Sequence, residues 1–440
     1  MKKYLIVFSI ILVSNSFAQE ELTLEKAIEY GINNSRDIAI AKNSEKIIKN
    51  TNHLGATGML PMVSVSSGYN GSINNSELEF NPFLDFGGDM DSNINANKAQ
   101  SSNLSSSINL NFRLFNGFSG IYTLNKFKKQ NTIANENTRS QIESRIIEII
   151  QQYYDLLNKE NIYNTFKTTY NISKDRHQQA LDRYSTGSIS KLELLNVEVN
   201  LNQDKINMEE AMINVKSSRL NISLLLGIPE DSFSIKHEFK FNNSINLENI
   251  LNETYANNTS ILISQLNYAI AQDELKLSKA SFSPTINLFS SYSYNNMQSE
   301  TSFISKQSDN GIVAGLSLEI PIFSANMKRK NFQNAKINLE SKNYSLEEIK
   351  ETIKIAVTNT YYQYMEGLNN LELLKTNLKT IEKTANISKE LYDLGQLSNL
   401  EYRESQILLD QAQINYIAKL SQTKIQEYII YQLSGQLQSK

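Results

Sequence analysis

The stretch "RYSTGSISKLELLN", residues 183–196, decides the fold, because a variant of it returns as "LYDLGQLSNLEYRE", residues 391–404. Both stretches lie between long runs in which apolar residues recur at helical spacing. The chain therefore contains one helix–turn–helix unit twice. Five residues recur 208 positions apart, and the pairs are Tyr184/Tyr392, Gly187/Gly395, Ser190/Ser398, Leu192/Leu400 and Glu193/Glu401.

The duplication extends over most of the chain. "LTLEKAIEYGINNSRDI" from Leu22 resembles "INLENILNETYANNTSI" from Ile245, 223 residues later, and "RLFN" at 113–116 aligns with "PIFS" at 321–324, 208 residues later. The difference of about fifteen residues is assigned to the loop "SELEFNPFLDFGGDMD", residues 76–91, because exposed loops tolerate insertions. We predict a first structural repeat over residues 19–228 and a second over residues 229–440.

The N-terminus predicts export. Lys2 and Lys3 precede an apolar run over residues 4–13, and small residues lead to a cleavage site after Ala18. We predict a signal peptide over residues 1–18, and a retained membrane anchor is the alternative. The chain has no cysteine, which excludes disulfides, a thiolate metal site and an acylated N-terminal cysteine. Its net charge of −3 argues against a nucleic-acid partner.

Each repeat is predicted to run helix, strand, loop, strand, long helix, turn, long helix. The first helix is expected from Thr23, its N-cap, to about Leu54. Each long helix of ~60 residues would extend ~90 Å at 1.5 Å per residue, which favours a coiled coil or an extended tube. A soluble coiled-coil stalk fits these helices equally well. The strands are expected at about 61–73, 106–115, 284–295 and 311–323, and the helical hairpins at about 117–226 and 325–433.

The strands alternate between apolar and polar residues. Ile108, Leu110 and Phe112 would face one way, and Asn109 and Asn111 the other. A soluble sandwich shows the same alternation, but strands of about ten residues also suit a tilted membrane crossing. Four strands cannot close a barrel, so several chains would have to pool them, and three chains give about twelve strands. The predicted fold class is mainly α with a transmembrane β-barrel, assembled as a trimeric α/β-barrel channel-tunnel.

With these features the chain resembles the TolC family of outer-membrane efflux proteins over essentially its whole mature length. The resemblance rests on the "LTLEKAI…NN" start, the proline-led strands, "RLFNG" at a strand end and the paired turns. It implies a homotrimer in outer-membrane lipid that extends into the periplasm of a bacterial cell. It also implies two partners, a periplasmic adaptor (membrane fusion) protein and an inner-membrane pump such as an RND or ABC transporter. The implied function is the exit duct of tripartite efflux or type I secretion.

The resemblance also assigns the two turns to the periplasmic end of the tunnel, as adaptor-docking tips. The glycines would provide the backbone freedom that a tight turn needs, and the serines would cap the following helices, with Glu193 and Glu401 as capping-box partners. That structural role is the alternative for both glutamates. The docking residues expected from the resemblance are Arg183, Tyr184, Gly187, Ser190, Gly395 and Ser398.

The second turn carries an additional acidic pair. Glu401 and Glu404 are three residues apart on one helix face. In the family, two carboxylates at these positions narrow the tunnel entrance, and Tyr392 and Glu193 match residues that hold the closed state. The tunnel constriction is therefore expected at Glu401, Glu404, Glu193 and Tyr392. Leu397 occupies the place of the family's basic latch partner, for which Arg183, Lys191 and Arg403 are the candidates.

The sequence offers no motif for an enzyme. His53, His177 and His237 are far apart, and no P-loop, dinucleotide fingerprint, GxSxG or HExxH motif is present. We predict a non-enzymatic protein with no cofactor and no metal site. The alternatives are a structural or adhesive coiled-coil surface protein, which would not explain the duplicated strand pairs, and a periplasmic adaptor, for which a many-stranded β-domain is missing.

Overall fold

The computed structural model describes residues 20–79, 93–236, 239–300 and 304–437. The predicted signal peptide, His237 and most of the predicted loop insertion lie outside these residues. The helices are α1 Leu24–Asn33, α2 Arg36–Thr51, α3 Ser119–Ser185, α4 Lys191–Leu226, α5 Leu247–Asn257, α6 Thr259–Ala280, α7 Met327–Asp393 and α8 Asn399–Leu433. The strands are β1 Glu20–Leu22, β2 Met62–Glu79, β3 Asn93–Phe115, β4 Phe233–Ile235, β5 Thr285–Ser299 and β6 Lys306–Glu319.

The chain packs as two compact units. The helical unit contains the chain up to Ser44, Asn135–Ile263 and the chain from Glu347 onward. The sheet unit contains Glu45–Ala134 and Ser264–Leu346. No helix in the described part of the chain is long and apolar enough to span a membrane.

The core of the helical unit forms where α1 packs on α3 and α4. Gly31 of α1 allows this close approach, because a Cβ there would clash with the side chain of Ile149. The short strands β1 and β4 pair in parallel, with Leu22 opposite Ile235, and were not predicted. The Tyr153 hydroxyl lies 3.0 Å from the carbonyl oxygen of Leu22 and 2.9 Å from that of Lys236, so it ties this two-stranded sheet to α3.

The predicted first helix is two helices. Asn34 caps the end of α1 and donates its side-chain amide to the Leu226 carbonyl at 2.7 Å, and the Ser35 hydroxyl accepts the Ile38 N–H that begins α2. In the second repeat Asn258 donates to the Leu433 carbonyl at 2.9 Å. In each repeat, the asparagine that follows the first short helix thus satisfies a carbonyl at the C-terminal end of the last helix. The first helix ends at this asparagine.

The sheet unit contains a four-stranded antiparallel sheet in the order β2-β3-β5-β6. The strands have 18, 23, 15 and 14 residues, so all four are longer than the expected ten. Serine pairs extend the pairing where the apolar alternation ends, as in Ser72–Ser101 at 2.7 Å between hydroxyl oxygens. Strand β6 stops at Glu319 rather than near residue 323, because Pro321 has no N–H to donate to a ladder.

The two faces of the sheet differ in chemistry. The register places Val65 beside Ile108, Ile108 beside Tyr292 and Tyr292 beside Ile312 on one face. This apolar face is largely solvent-exposed in the single chain. The opposite face is lined by small uncharged polar side chains, which include Ser66, Ser107, Asn109, Ser291 and Ser293.

Two surfaces of the helical unit are related by the duplication. At the first, α3 contacts α8: the Ser421 hydroxyl donates to Asn158 at 3.0 Å, and Tyr154 is 2% exposed in the core that includes Tyr428. We call this contact the inner seam. The equivalent positions lie on α7 and α4, and no helix of the described chain covers them. Tyr362 is 60% exposed, and Ile355, Ile213 and Leu220 are exposed to a similar extent. We call these two faces the outer seam.

Candidate functional site

The two predicted tips have the same backbone. At the first, the Gly187 N–H donates to the Tyr184 carbonyl at 2.9 Å, and the next N–H reaches back to the Arg183 carbonyl at 2.8 Å. Gly395 makes the same pair of bonds at the second tip, with distances of 2.9 and 2.8 Å. This pair of backbone hydrogen bonds is the Schellman motif, which ends a helix. It requires a left-handed residue, and the glycines have φ angles of 75° and 73°.

The serines cap the helices that follow, and the two tips begin to differ here. The Ser190 hydroxyl accepts the Glu193 N–H at 3.1 Å, which is the serine half of a capping box. Ser398 and Glu401 form the complete box, because the Glu401 carboxylate also accepts the Ser398 N–H at 3.0 Å. It accepts the Ser398 hydroxyl at 2.7 Å as well, and these bonds lower the pKa of Glu401.

Both glutamates of the acidic pair are accessible. Glu401 and Glu404 lie on the exposed face of α8, in line with Ile407 and Leu408, while the opposite face buries Tyr402. Because Glu401 already binds the N-cap, its carboxylate is held in place at the start of the helix. Glu404, one turn farther, projects from the same face.

The two tip tyrosines have different surroundings. Tyr392 is 6% exposed, stacks on Tyr402 with ring centroids 4.9 Å apart, and lies under the guanidinium of Arg183 at 5.5 Å. Burial raises the pKa of Tyr392, against the opposing effect of Arg176 and Arg183. Its equivalent, Tyr184, is exposed and has only the Lys191 ammonium over its ring, at 5.4 Å.

The three candidates for the basic latch partner therefore separate. Arg183 contacts Tyr392, and Lys191 contacts the exposed Tyr184. Arg403 binds both carboxylate oxygens of Asp204 on α4, one of them at 2.7 Å. Of the three candidates, Arg183, from the other repeat, is therefore the one that contacts Tyr392. Glu193 is half-buried. Its charge raises the pKa of Tyr392, but less than burial does, whereas Arg176 and Arg183 lower it.

A buried polar cluster behind the tips was not predicted. Asp204 is 2% exposed and binds Arg403 and the Ser173 hydroxyl. The Ser173 hydroxyl also accepts from Arg176, which donates to Gln406 at 3.1 Å. These bonds link α3 and α4 of the first repeat to α8 of the second, along the inner seam.

A second carboxylate extends this cluster. Thr169 of α3 donates to Asp410 of α8, with distances of 2.9 and 2.8 Å to the two oxygens. Burial raises the pKa of Asp410 to about 6, although the Thr169 bond and the charge of Arg403 lower it. A sequence signal for the cluster existed: Asp204 belongs to the strict seven-residue series of buried positions on α4, with Val197, Ala211, Ser218 and Leu225.

Comparison with known proteins agrees with this architecture. Residues 250–436 match the family described as outer membrane efflux protein. A search of the curated proteins found no match to the sequence. Among the described residues, no cluster of histidine and carboxylate side chains could hold a metal ion.

Solved structures share the fold of the chain at low sequence identity. CusC, described as forming a transmembrane channel, has 15% identity and a TM-score of 0.76, with 94% of this chain and 92% of CusC covered. The Campylobacter jejuni outer membrane channel CmeC has 15% identity, a TM-score of 0.77 and coverage of 94% and 86%. The Vibrio cholerae outer membrane protein VceC has 11% identity, a TM-score of 0.73 and coverage of 94% and 96%. The chain therefore shares the fold of these outer membrane proteins.

Proposed function

We propose that three copies of this chain form an outer-membrane channel-tunnel that conducts substrates passively from a pump and adaptor complex across the periplasm and out of the cell. The observation that carries this proposal is the four-stranded sheet with one apolar exposed face and one Ser/Asn-lined face. An apolar outer face and a polar inner face are what a membrane strand assembly with a water-filled interior requires.

The sheet cannot serve this purpose alone. Strands β2 and β6 are its edges, and each has one side without a partner strand in the described chain. Open edges are not viable in lipid, because their N–H and carbonyl groups would remain unsatisfied. Pairing β6 of one copy with β2 of the next would satisfy both edges. Three copies would then supply about twelve strands, which is within the usual range.

The outer seam supports the same assembly. Tyr362 on α7 and Leu220 on α4 are exposed, although their repeat equivalents, Tyr154 and Tyr428, pack together at the inner seam. If α7 of one copy covers α4 of the next, each contact between copies repeats the contact within a copy. Such a head-to-tail interface closes into a ring when the rotation from one copy to the next divides a full turn evenly, as a threefold rotation does. In the proposed ring, two hairpins per chain would surround one tunnel.

At the periplasmic end, we assign the two tips to adaptor docking and the α8 carboxylates to the constriction. Three copies bring three Glu401 and three Glu404 side chains to one opening, and acidic rings favour cations and repel anions. The stack of Arg183, Tyr392 and Tyr402 joins the two tips of one chain, with the charge of Glu193 nearby. It is well placed to hold the closed state of the entrance. An adaptor protein would bind the outer surface of the tips, and an RND or ABC pump would load the tunnel.

Planar bilayer recording tests the proposal. Purified trimers should form conducting channels whose reversal potential in a KCl gradient shows cation preference. Replacing Glu401→Gln and Glu404→Gln together should reduce that preference at least severalfold. The matched control is Glu348→Gln with Glu351→Gln, an exposed pair on α7 with the same spacing, which should change selectivity little. A monomeric protein that needs no detergent would refute the channel, and unchanged selectivity in the first variant would refute only the acidic rings.

A further inference from the structure

An exposed apolar and basic surface lies at the helical end of strand β6. We call it the junction surface and define it as residues 320–330 together with Lys279 and Phe282. Ile322 is 95% exposed and Phe323 is 80% exposed, and Ile320 and Met327 are also exposed. In the sequence, Ile320 and Ile322 continue the alternation of Leu316 and Leu318, which lie on the apolar face of the sheet. The same surface contains the consecutive cations Lys328, Arg329 and Lys330.

Two contacts fix this surface in position. Lys328 donates from its ammonium to the Ser281 carbonyl at 2.7 Å, which joins the start of α7 to the end of α6. The rings of Phe282 and Phe332 meet edge to face, with centroids 6.4 Å apart. As a result the exposed cations of Lys279 in the last turn of α6 and of Arg329 and Lys330 in α7 belong to one local structure.

The charge of the junction surface is unbalanced. Between Glu319 and Glu340 the sequence has four cationic residues and no acidic one. The corresponding residues of the first repeat, 112–131, also include four cations and no acidic residue, but two of them, Lys126 and Lys129, form ion pairs with Glu274 and Asp273 on α6. The sequence between β2 and β3 is acidic, with five carboxylates and no cation over residues 76–91. Ion pairs therefore neutralise more of the positive charge at the helical end of the first-repeat strands than at the helical end of the second-repeat strands.

We propose that the junction surface binds the headgroups of anionic phospholipids in the periplasmic leaflet. This inference rests on the proposed function, which puts the apolar face of the sheet in lipid. Ile322 and Phe323 would then lie at the depth where acyl chains meet headgroups, and the cations would be at headgroup level. Each cation at this level would strengthen the attraction between the protein and an anionic membrane surface. The ion-paired lysines of the first repeat would not contribute in this way.

The chain has no tryptophan, so a single introduced one reports on this site. The test uses Phe323→Trp trimers in vesicles of neutral phosphatidylcholine with ~20% of brominated phosphatidylglycerol or, separately, brominated phosphatidylcholine. Bromine quenches indole fluorescence by contact. We expect quenching by the brominated phosphatidylglycerol to exceed that by the brominated phosphatidylcholine about threefold or more, because charge enriches the anionic lipid at this site. Phe118→Trp, at the exposed first-repeat junction, should be quenched equally by both.

Charge variants complete the experiment. Adding Lys328→Gln, Arg329→Gln and Lys330→Gln to Phe323→Trp should abolish the preference for phosphatidylglycerol. Lys375→Gln, Lys379→Gln and Lys383→Gln, three exposed lysines elsewhere on α7, should preserve it. Equal quenching by both lipids at Phe323→Trp would overturn the proposal, as would no quenching, which indicates that a second copy covers the residue. Loss of the preference on adding free glycerol phosphate would also overturn it. Conductance of the same trimers is measured in parallel, so failure of the channel is distinguishable from failure of lipid binding.

Discussion

At the inner seam, Asp204 of α4 binds Arg403 of α8, and both side chains are almost completely buried. The repeat-equivalent positions are Ala412, on α8, and Leu195, on the α4 face of the outer seam. The rest of the buried cluster is not duplicated either: Asn202, Thr384 and Asn377 stand where the inner seam has Asp410, Arg176 and Thr169. The two seams share a backbone pattern but not a chemistry.

The difference indicates which contact is able to move. A buried ion pair fixes one arrangement of its partners, because a shifted helix would leave a charge buried without compensation. Apolar and small uncharged side chains at the outer seam carry no such penalty for a small displacement. We infer that opening of the entrance takes place at the contacts between copies, with the two hairpins of each chain moving together.

The largest effect is expected for the buried ion pair. Arg403→Met leaves Asp204 buried without its partner and should lower the free energy of unfolding by about 3–5 kcal/mol. Leu195→Met, at the equivalent outer-seam position, should cost less than about 1 kcal/mol. Thermal or urea unfolding of the trimer measures both. The double variant with Asp204→Asn should recover part of the loss, and equal effects at positions 403 and 195 would remove the distinction between the seams.

Substitution of the tip glycines should lower the free energy of unfolding by less, but it should reduce export strongly. A bulky residue such as Val at Gly187 or Gly395 is forced into the left-handed region, at about 1–2 kcal/mol, and should abolish export while trimers still assemble. A Cβ at either position meets no atom within 4 Å in the single chain. Asn tolerates the left-handed region, so Gly187→Asn and Gly395→Asn add bulk with little strain. Normal export by the Val variants would exclude the tips from docking.

Asp410, one of the two carboxylates in the buried cluster, predicts a pH dependence of stability. Burial raises the pKa of Asp410 to about 6, above the unfolded value, so the folded state prefers the protonated form. This stabilising contribution is complete below pH ~4 and is lost as pH rises through about 6. Asp410→Asn should therefore stabilise the trimer at pH 7.5 by on the order of 1 kcal/mol, allowing for partial exposure. Melting temperatures between pH 5 and 7.5 are the measurement, and a parallel pH profile in variant and wild type would contradict it.

The smallest effect distinguishes the two serine caps. Ser398→Ala removes the hydroxyl that bonds both the Glu401 N–H and the Glu401 carboxylate, whereas Ser190→Ala removes one bond to the Glu193 N–H. We expect a loss of about 1–2 kcal/mol at Ser398 and of about 0.5–1 kcal/mol at Ser190. Hydrogen exchange of the first-turn amides of α4 and α8 gives both values. A larger loss at Ser190 would show that the complete box adds nothing.

Much of this protein could be predicted from its sequence. The duplication located both tips, and Gly187 and Gly395 predicted the left-handed turns, because few other residues adopt that backbone conformation. The alternation around Ile108 predicted one apolar strand face. The sequence did not predict the full length of the strands, because runs of Ser and Asn show no alternation of apolar and polar residues. Their backbone N–H and carbonyl groups nevertheless pair as well as those of other residues. Strands β1 and β4 were missed because three residues are too short for a pattern to appear.

The sequence by itself determined the duplicated hairpins, the strand faces, the glycine turns and the acidic pair, because each depends on residues close together in the chain. Only the tertiary structure decided which face of each helix is covered. Tyr154 and Tyr362 occupy the same place in their repeats, yet one is buried and the other exposed. Arg403 and Asp204 meet across 199 residues of chain. Such pairings depend on how helices distant in sequence pack, which no local pattern encodes.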